Sequence, residues 1–139
     1  MNEEVTNRID SLESLMKEHQ HTVIDSTSAL PPFRNIVQYE TSAATITPVP
    51  GINCLDITAI ATAFTIANPR FDGTNFQKLM IRIKDNGTAR AITWGSLYIA
   101  GGFALPSTTV LGKYMTLGFQ YCTANDLNKW QLIGFAQES

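Results

Sequence analysis

"KLMIRIKDNGTARAITWG", residues 78–95, decides the fold class. Its first part alternates, with Leu79, Ile81 and Ile83 pointing one way and Lys78, Met80, Arg82 and Lys84 the other. A period of two marks a β-strand with one face in a core. Asn86-Gly87 follows, and both residue types tolerate positive φ, so the pair predicts a tight hairpin with 89–95 as its return strand.

The same grammar extends outward. "RNIVQYE" (34–40), "AATITPV" (43–49) and "CLDITAIATAFTIAN" (54–68, one strand or two) are rich in β-branched residues. They are punctuated by Pro50-Gly51 and Asn68-Pro69. "SLYIAGGFALP" is broken at Gly101-Gly102, and "KYMTLGFQYC" (113–122) and "KWQLIGFAQ" (129–137) form a last pair around "TANDLN". Within 129–137, Trp130, Leu132 and Gly134 fall on one face, and Gln131, Ile133 and Phe135 on the other. Apolar residues on both faces predict contact with a second sheet or a neighbouring subunit. From Phe33 onward no amphipathic helix longer than two turns is legible. Roughly eight short strands with Gly/Pro turns predict a mainly β fold, a jelly-roll-like antiparallel β-sandwich head over 34–139.

Residues 1–24 read differently. Val5, Ile9, Leu12 and Met16 are spaced as d, a, d, a of a heptad, and His19 and Val23 continue the series. So short a helix is marginal alone and must pack on something. Either it lies on its own domain, or it associates with copies of itself in a parallel bundle. The narrow stripe and the terminal position favour the bundle. Ile at a with Val and Leu at d permits a dimer or a trimer, and Leu15 widens the seam towards three. Pro31-Pro32 ends any helix, so 25–33 is a linker between the expected coiled-coil stalk and the head.

His19 and His21 are the chain's two histidines and sit at this junction. On a helix they would point about 200° apart, whereas on extended chain they share a face. In a trimer with extended backbone there, the pairs would converge on the axis and suit Fe, Ni or Zn. The alternative is that His19 fills a heptad position, His21 is solvated and no metal binds.

The bulk numbers bound the function classes. The chain has 139 residues, 44% hydrophobic and only 16% charged, with a formal net charge of -2. No basic stripe exists to neutralise a nucleic-acid backbone. No run is long enough for a membrane span, and the start "MNEEVTNRID" lacks the apolar core of a leader. Cys54 and Cys122 have no CxxC spacing and read as two thiols or one long-range disulfide.

Nothing in the sequence assembles a reaction centre. The head has no histidine, nucleophile elbow or P-loop. Asp85 belongs to the turn and Asp126 to "TANDLN". Asp56 has Arg82 or Arg90 as a prospective partner. A paired-carboxylate glycosidase is the remaining enzyme class, with no pair placed together by the sequence. Trp94, Tyr98 and Phe103 are candidates for surface binding, for instance of a glycan, with Tyr114, Tyr121 and Trp130 behind them. The competing role for each is core or subunit-interface packing.

The segments "IRIKDNGTARAITW", "LPSTTVLGKYMTLGFQY" and "NKWQLIGF" together resemble a small C-terminal β-domain of bacteriophage virion proteins: tail fibres, head fibres and other minor structural proteins. "EHQHTVIDS" is similar to His-x-His segments near the stalk-to-head transition of trimeric phage fibres, where such histidines hold a metal on the three-fold axis. Those segments carry a glycine after His-x-His-Thr, where this chain has Val23. The resemblance implies a virion location and a homotrimer. It also implies a capsid or tail partner at the N-terminus, possible attachment to host surface glycan, and no catalytic residues.

Overall fold

The computed structural model describes residues 34–139. The expected stalk (Val5, Ile9, Leu12, Met16), the His19/His21 pair and the linker 25–33 lie outside these described residues. The described part is mainly β. Its nine strands are β1 (Val37–Glu40), β2 (Thr45–Ile46), β3 (Cys54–Ile60), β4 (Phe64–Ile66), β5 (Lys78–Asp85), β6 (Ile92–Trp94), β7 (Tyr98–Ile99), β8 (Met115–Cys122) and β9 (Lys129–Gln137). A single 3₁₀ turn, Ala124–Asp126, precedes β9.

The strands make a six-stranded sheet, ordered β1-β3-β5-β8-β9-β7, and a three-stranded sheet, ordered β2-β4-β6. Through the first six strands the chain alternates between the sheets, and every neighbour in this part is parallel. The polypeptide therefore winds as three stacked coils, β1–β2, β3–β4 and β5–β6, in the manner of a short solenoid. The coils are unequal: Val37 lies beside Cys54, and Cys54 beside Met80. Between the strands, antiparallel pairing enters where β8 joins β5 and β9 joins β8, and an isolated antiparallel bridge links Ala91 to Thr108. β7 pairs parallel to β9.

Two expectations are corrected here. An antiparallel, jelly-roll-like order does not describe these sheets, because five of the strand neighbours are parallel. The Asn86-Gly87 hairpin is not formed either. Gly87 does take positive φ (+99°), but β6 pairs with β4 in the other sheet, not with β5. The cause lies one residue earlier. The carboxylate of Asp85 accepts hydrogen bonds from Gly87 N–H (2.9 Å), Gly112 N–H (2.8 Å) and the Thr109 hydroxyl (2.7 Å). These bonds make 85–87 a corner between sheets. The expected pair around "TANDLN" is formed, with a register shift between Gly118 and Phe119 that leaves Ile133 as an extra residue on β9.

The inner faces of both sheets close on one core. Leu55, Ile57, Leu79, Ile81 and Ile83 come from the large sheet, and Ile46, Phe64, Ile66 and Ile92 from the small one. Leu117, Phe119, Trp130 and Leu132 extend it along β8 and β9. Each fully buried Ile or Leu contributes about 1.5–3 kcal/mol over leaving it exposed.

The first coil shuts the end of this core with polar groups. The register places Gln38 opposite Leu55 and Glu40 opposite Ile57, on the core side of β1. The Gln38 amide donates to Thr47 O (3.0 Å) and to Glu40 Oε1 (3.1 Å), and its oxygen accepts from Val49 N–H (2.9 Å).

Candidate functional site

The alternation that buries Leu79, Ile81 and Ile83 turns the other half of β5 outward, onto the far face of the large sheet. Cross-strand register then assembles that face. Tyr39 of β1 lies beside Asp56 of β3, Asp56 beside Arg82 of β5, and Arg82 beside Thr116 of β8. One step along, Val37, Cys54, Met80 and Gly118 line up in the same way. Gly118 has no side chain, and the Met80 sulfur lies over it.

Arg82 is the centre of this face. Its Nε donates to Asp56 Oδ1 (3.1 Å) and its NH2 to Asp56 Oδ2 (2.7 Å), a bidentate fork held across adjacent parallel strands. The Asp56 side chain is 8% exposed, whereas that of Arg82 is 53% exposed. The hydrogen bond to Asp56 raises the guanidinium pKa further above its already high value; burial opposes this and the Asp56 charge adds to it. The guanidinium also sits over the Tyr114 ring at 5.1 Å, and the Lys84 ammonium over the same ring at 4.8 Å.

Two grooves meet at Arg82 and Thr116. One, of about 270 Å³, is walled by Asn35, Val37, Tyr39, Cys54, Asp56 and Met80. The other, of about 360 Å³, is walled by Tyr114, Ala136, Gln137 and Glu138. Apolar side chains stand proud on this face: Tyr39 is 71% exposed and Met80 42%. The Cys54 thiol is pushed up by burial, against the lowering pull of Arg82. Cys54 and Cys122 are both free thiols.

The residues expected to bind at a surface fare unequally. Tyr98 is buried; its hydroxyl donates to Ala67 O (2.9 Å), and burial pushes its pKa far up. Trp94 is half-buried, donates from Nε1 to Pro106 O (2.8 Å), and packs on Tyr98 and Phe119. These two serve packing, which corrects the surface-binding expectation for them. Phe103 is exposed, at 49%. Trp130 is fully buried against Phe71 and Tyr121.

Of the two partners foreseen for Asp56, the fold selects Arg82. Tyr39 escaped notice because it is a lone aromatic in a short polar strand. Only the register beside Asp56 shows its place on this face.

The carboxylates most enclosed by the fold are both committed. Asp56 holds Arg82. For Asp85, burial pushes the pKa up, but the Gly112 N–H, the Thr109 hydroxyl, the Gly87 N–H and the Arg90 charge together outweigh it, and the carboxyl lies below the usual range. Such groups order a fold; they are not poised to move protons.

Comparison with family models, with curated proteins and with solved structures returns no match.

Proposed function

We propose that this chain is a bacteriophage virion structural protein: a homotrimeric fibre or head-decoration protein with a non-catalytic head that attaches to a host surface glycan. One structural observation supports it above the rest. The polar groups on the broad outer face are tied into an ion-paired frame, Asp56–Arg82 over Tyr114, amid exposed apolar side chains. A face of this make-up suits adhesion, which is what supports the reading. The heptad spacing of Val5, Ile9, Leu12 and Met16, and the resemblance of the segments between 81 and 135 to phage virion domains, give the reading its trimeric and viral terms.

Within this reading the N-terminal stalk joins three copies and engages a capsid or tail protein. His19 and His21 of the three chains then ring the axis and are able to hold Fe, Ni or Zn. Phe103 is the accessible member of the expected binding trio, so its loop is the first place to look for glycan contact. A purely structural decoration role without a receptor differs in one respect: it requires no affinity for cells.

Light scattering on the purified chain tests the assembly. The expected mass is about 46 kDa, three chains of 15.3 kDa. Elemental analysis of the same sample decides between the two readings of His19 and His21: one metal per three chains makes them a site, and none leaves them as junction residues. A mass of one chain removes the fibre reading. A metal-free trimer removes the metal alone.

A further inference from the structure

The fold sets Asn86-Gly87 at a corner and not in a hairpin, and the pair carries a chemistry that the corner governs. It is the only Asn-Gly pair in the chain. In such a pair the glycine nitrogen, once base has taken its proton, attacks the asparagine side chain at Cγ. A C–N bond forms and closes a five-membered succinimide. The side-chain nitrogen takes up a proton and leaves as ammonia. Water then adds to either ring carbonyl and opens the ring to aspartate or isoaspartate. Glycine favours the attack because it has no side chain to obstruct it. Both residues are exposed, and a Cβ at Gly87 would meet nothing within 4 Å, so water and base reach the pair.

The reacting groups are nevertheless tied down. The nucleophile, Gly87 N–H, donates to Asp85 Oδ1 at 2.9 Å. The oxygen of the electrophile, Asn86 Oδ1, accepts from Arg90 NH2 at 3.2 Å. The Asn86 N–H donates to Ile60 O at 3.0 Å. Asp85 is itself fixed, being 2% exposed and bonded to Gly112 N–H and the Thr109 hydroxyl as well. Arg90 is anchored to the same threonine: its N–H donates to Thr109 Oγ1 at 2.7 Å, and its carbonyl accepts from Thr109 N–H at 2.8 Å.

We propose that Asn86 is a latent self-modification site that Asp85 keeps shut. While the corner is folded, the Gly87 nitrogen is withheld from the Asn86 side chain. When the corner opens, Asn86 converts irreversibly to aspartate or isoaspartate. The inference stands apart from the virion reading and goes beyond it.

The block lies on the nucleophile. A carboxylate 2.9 Å from the nitrogen stabilises its proton and repels the anion that loss of the proton would leave. The donor from Arg90 works the other way, since it polarises the amide carbon, but with the nitrogen held nothing attacks that carbon. Asp85 is therefore a positioning residue for a reaction that the fold suppresses.

Opening is one-way in its consequences. Isoaspartate routes the backbone through the former side chain and adds one carbon between residues 86 and 87, which takes the Gly87 N–H off Asp85. Either product places a second carboxylate next to Asp85 in the chain, and like charges at close range oppose the old arrangement. A head that has opened here once is marked and does not close as before.

The test follows residue 86 of the full chain by peptide mapping and mass spectrometry at mildly alkaline pH, folded and unfolded in guanidinium chloride. Conversion in the folded chain should be slower by about tenfold or more. Asp85→Asn, shown to be folded by its thermal melt, keeps an oxygen for Gly87 N–H but not the charge, and should convert about threefold or more faster than the folded wild type. A second measurement needs no variant. Amide hydrogen exchange removes the same proton from the same nitrogen, so exchange at Gly87 in the folded wild type should be slowed by about tenfold or more against the unfolded chain.

Equal conversion in the folded and unfolded chain overturns the proposal. So does slow conversion with an unprotected Gly87 N–H, or with a folded Asp85→Asn variant as slow as the wild type, because the block then lies elsewhere than in Asp85.

Discussion

Asp56 and Arg82 stand side by side on parallel strands β3 and β5, and their side chains lock in a two-bond fork of 3.1 and 2.7 Å. The pair is asymmetric, with a nearly covered carboxylate and a half-exposed guanidinium. Removing the arginine therefore strands a poorly solvated anion, whereas removing the aspartate frees a cation that water can reach. Arg82→Ala should cost about 1–3 kcal/mol of stability, and Asp56→Ala less than that for its charge alone. A double-mutant cycle by urea unfolding should show a coupling of about 1 kcal/mol or more. Additive effects would mean the fork is incidental.

Asp85 gives the head its acid sensitivity. Its folded pKa is depressed, so its contribution is fully present above the unfolded carboxylate value of about 3.9 and is lost as pH falls through the folded pKa. Asp85→Asn keeps an oxygen for the Gly87 and Gly112 N–H groups and turns its amide to the Thr109 hydroxyl, which can accept it, so what is lost is the charge in all three bonds. It should cost about 1–3 kcal/mol at pH 7. The gap between wild type and variant should narrow below about pH 4. Thermal melts across pH 2 to 7 would show this; a gap constant with pH would contradict it.

Tyr98 should be silent in an alkaline titration. Burial holds its phenol neutral well above the ordinary value, so the neutral form stabilises the fold below the unfolded pKa of about 10 and that advantage is lost as pH rises beyond it. Absorbance at 295 nm on the native protein should therefore hold no contribution from Tyr98 at the pH where a free phenol ionises. Tyr98→Phe should leave the native titration unchanged and cost about 1 kcal/mol through the lost bond to Ala67 O.

Gly101 and Gly102 look equivalent in the sequence and are not. A Cβ at Gly101 would run into the carbonyl of Leu132, whereas one at Gly102 meets nothing within 4 Å. Gly101→Ala should cost about 1–3 kcal/mol. Gly102→Ala should stay within about 0.5 kcal/mol. Equal midpoints in a urea melt would refute the close approach of this loop to β9.

The sequence shows plainly what a strand buries, and far less about which strand it lies beside. The alternation over 78–85 assigns Leu79, Ile81 and Ile83 to the core, and the pair around "TANDLN" is legible because its partners are adjacent in sequence. Asn86-Gly87 announces a reversal in direction. Whether that becomes a hairpin or a corner depends on Asp85, Thr109 and Gly112, and the last two are more than twenty residues away in the chain. The coils stay hidden because they differ in length, so no repeat shows. Trp94 and Tyr98 carry the right chemistry for a sugar, yet their hydrogen bonds to Pro106 O and Ala67 O turn them inward. Tyr39 needed the register to be seen at all.

Protein mass spectrometry of gradient-purified phage particles, from cells in which this chain is made during infection, tests the central claim most directly. The account predicts the chain within the particles, in a copy number divisible by three, and retained through washing in high salt. A chain abundant in the lysate but absent from the particles would contradict it.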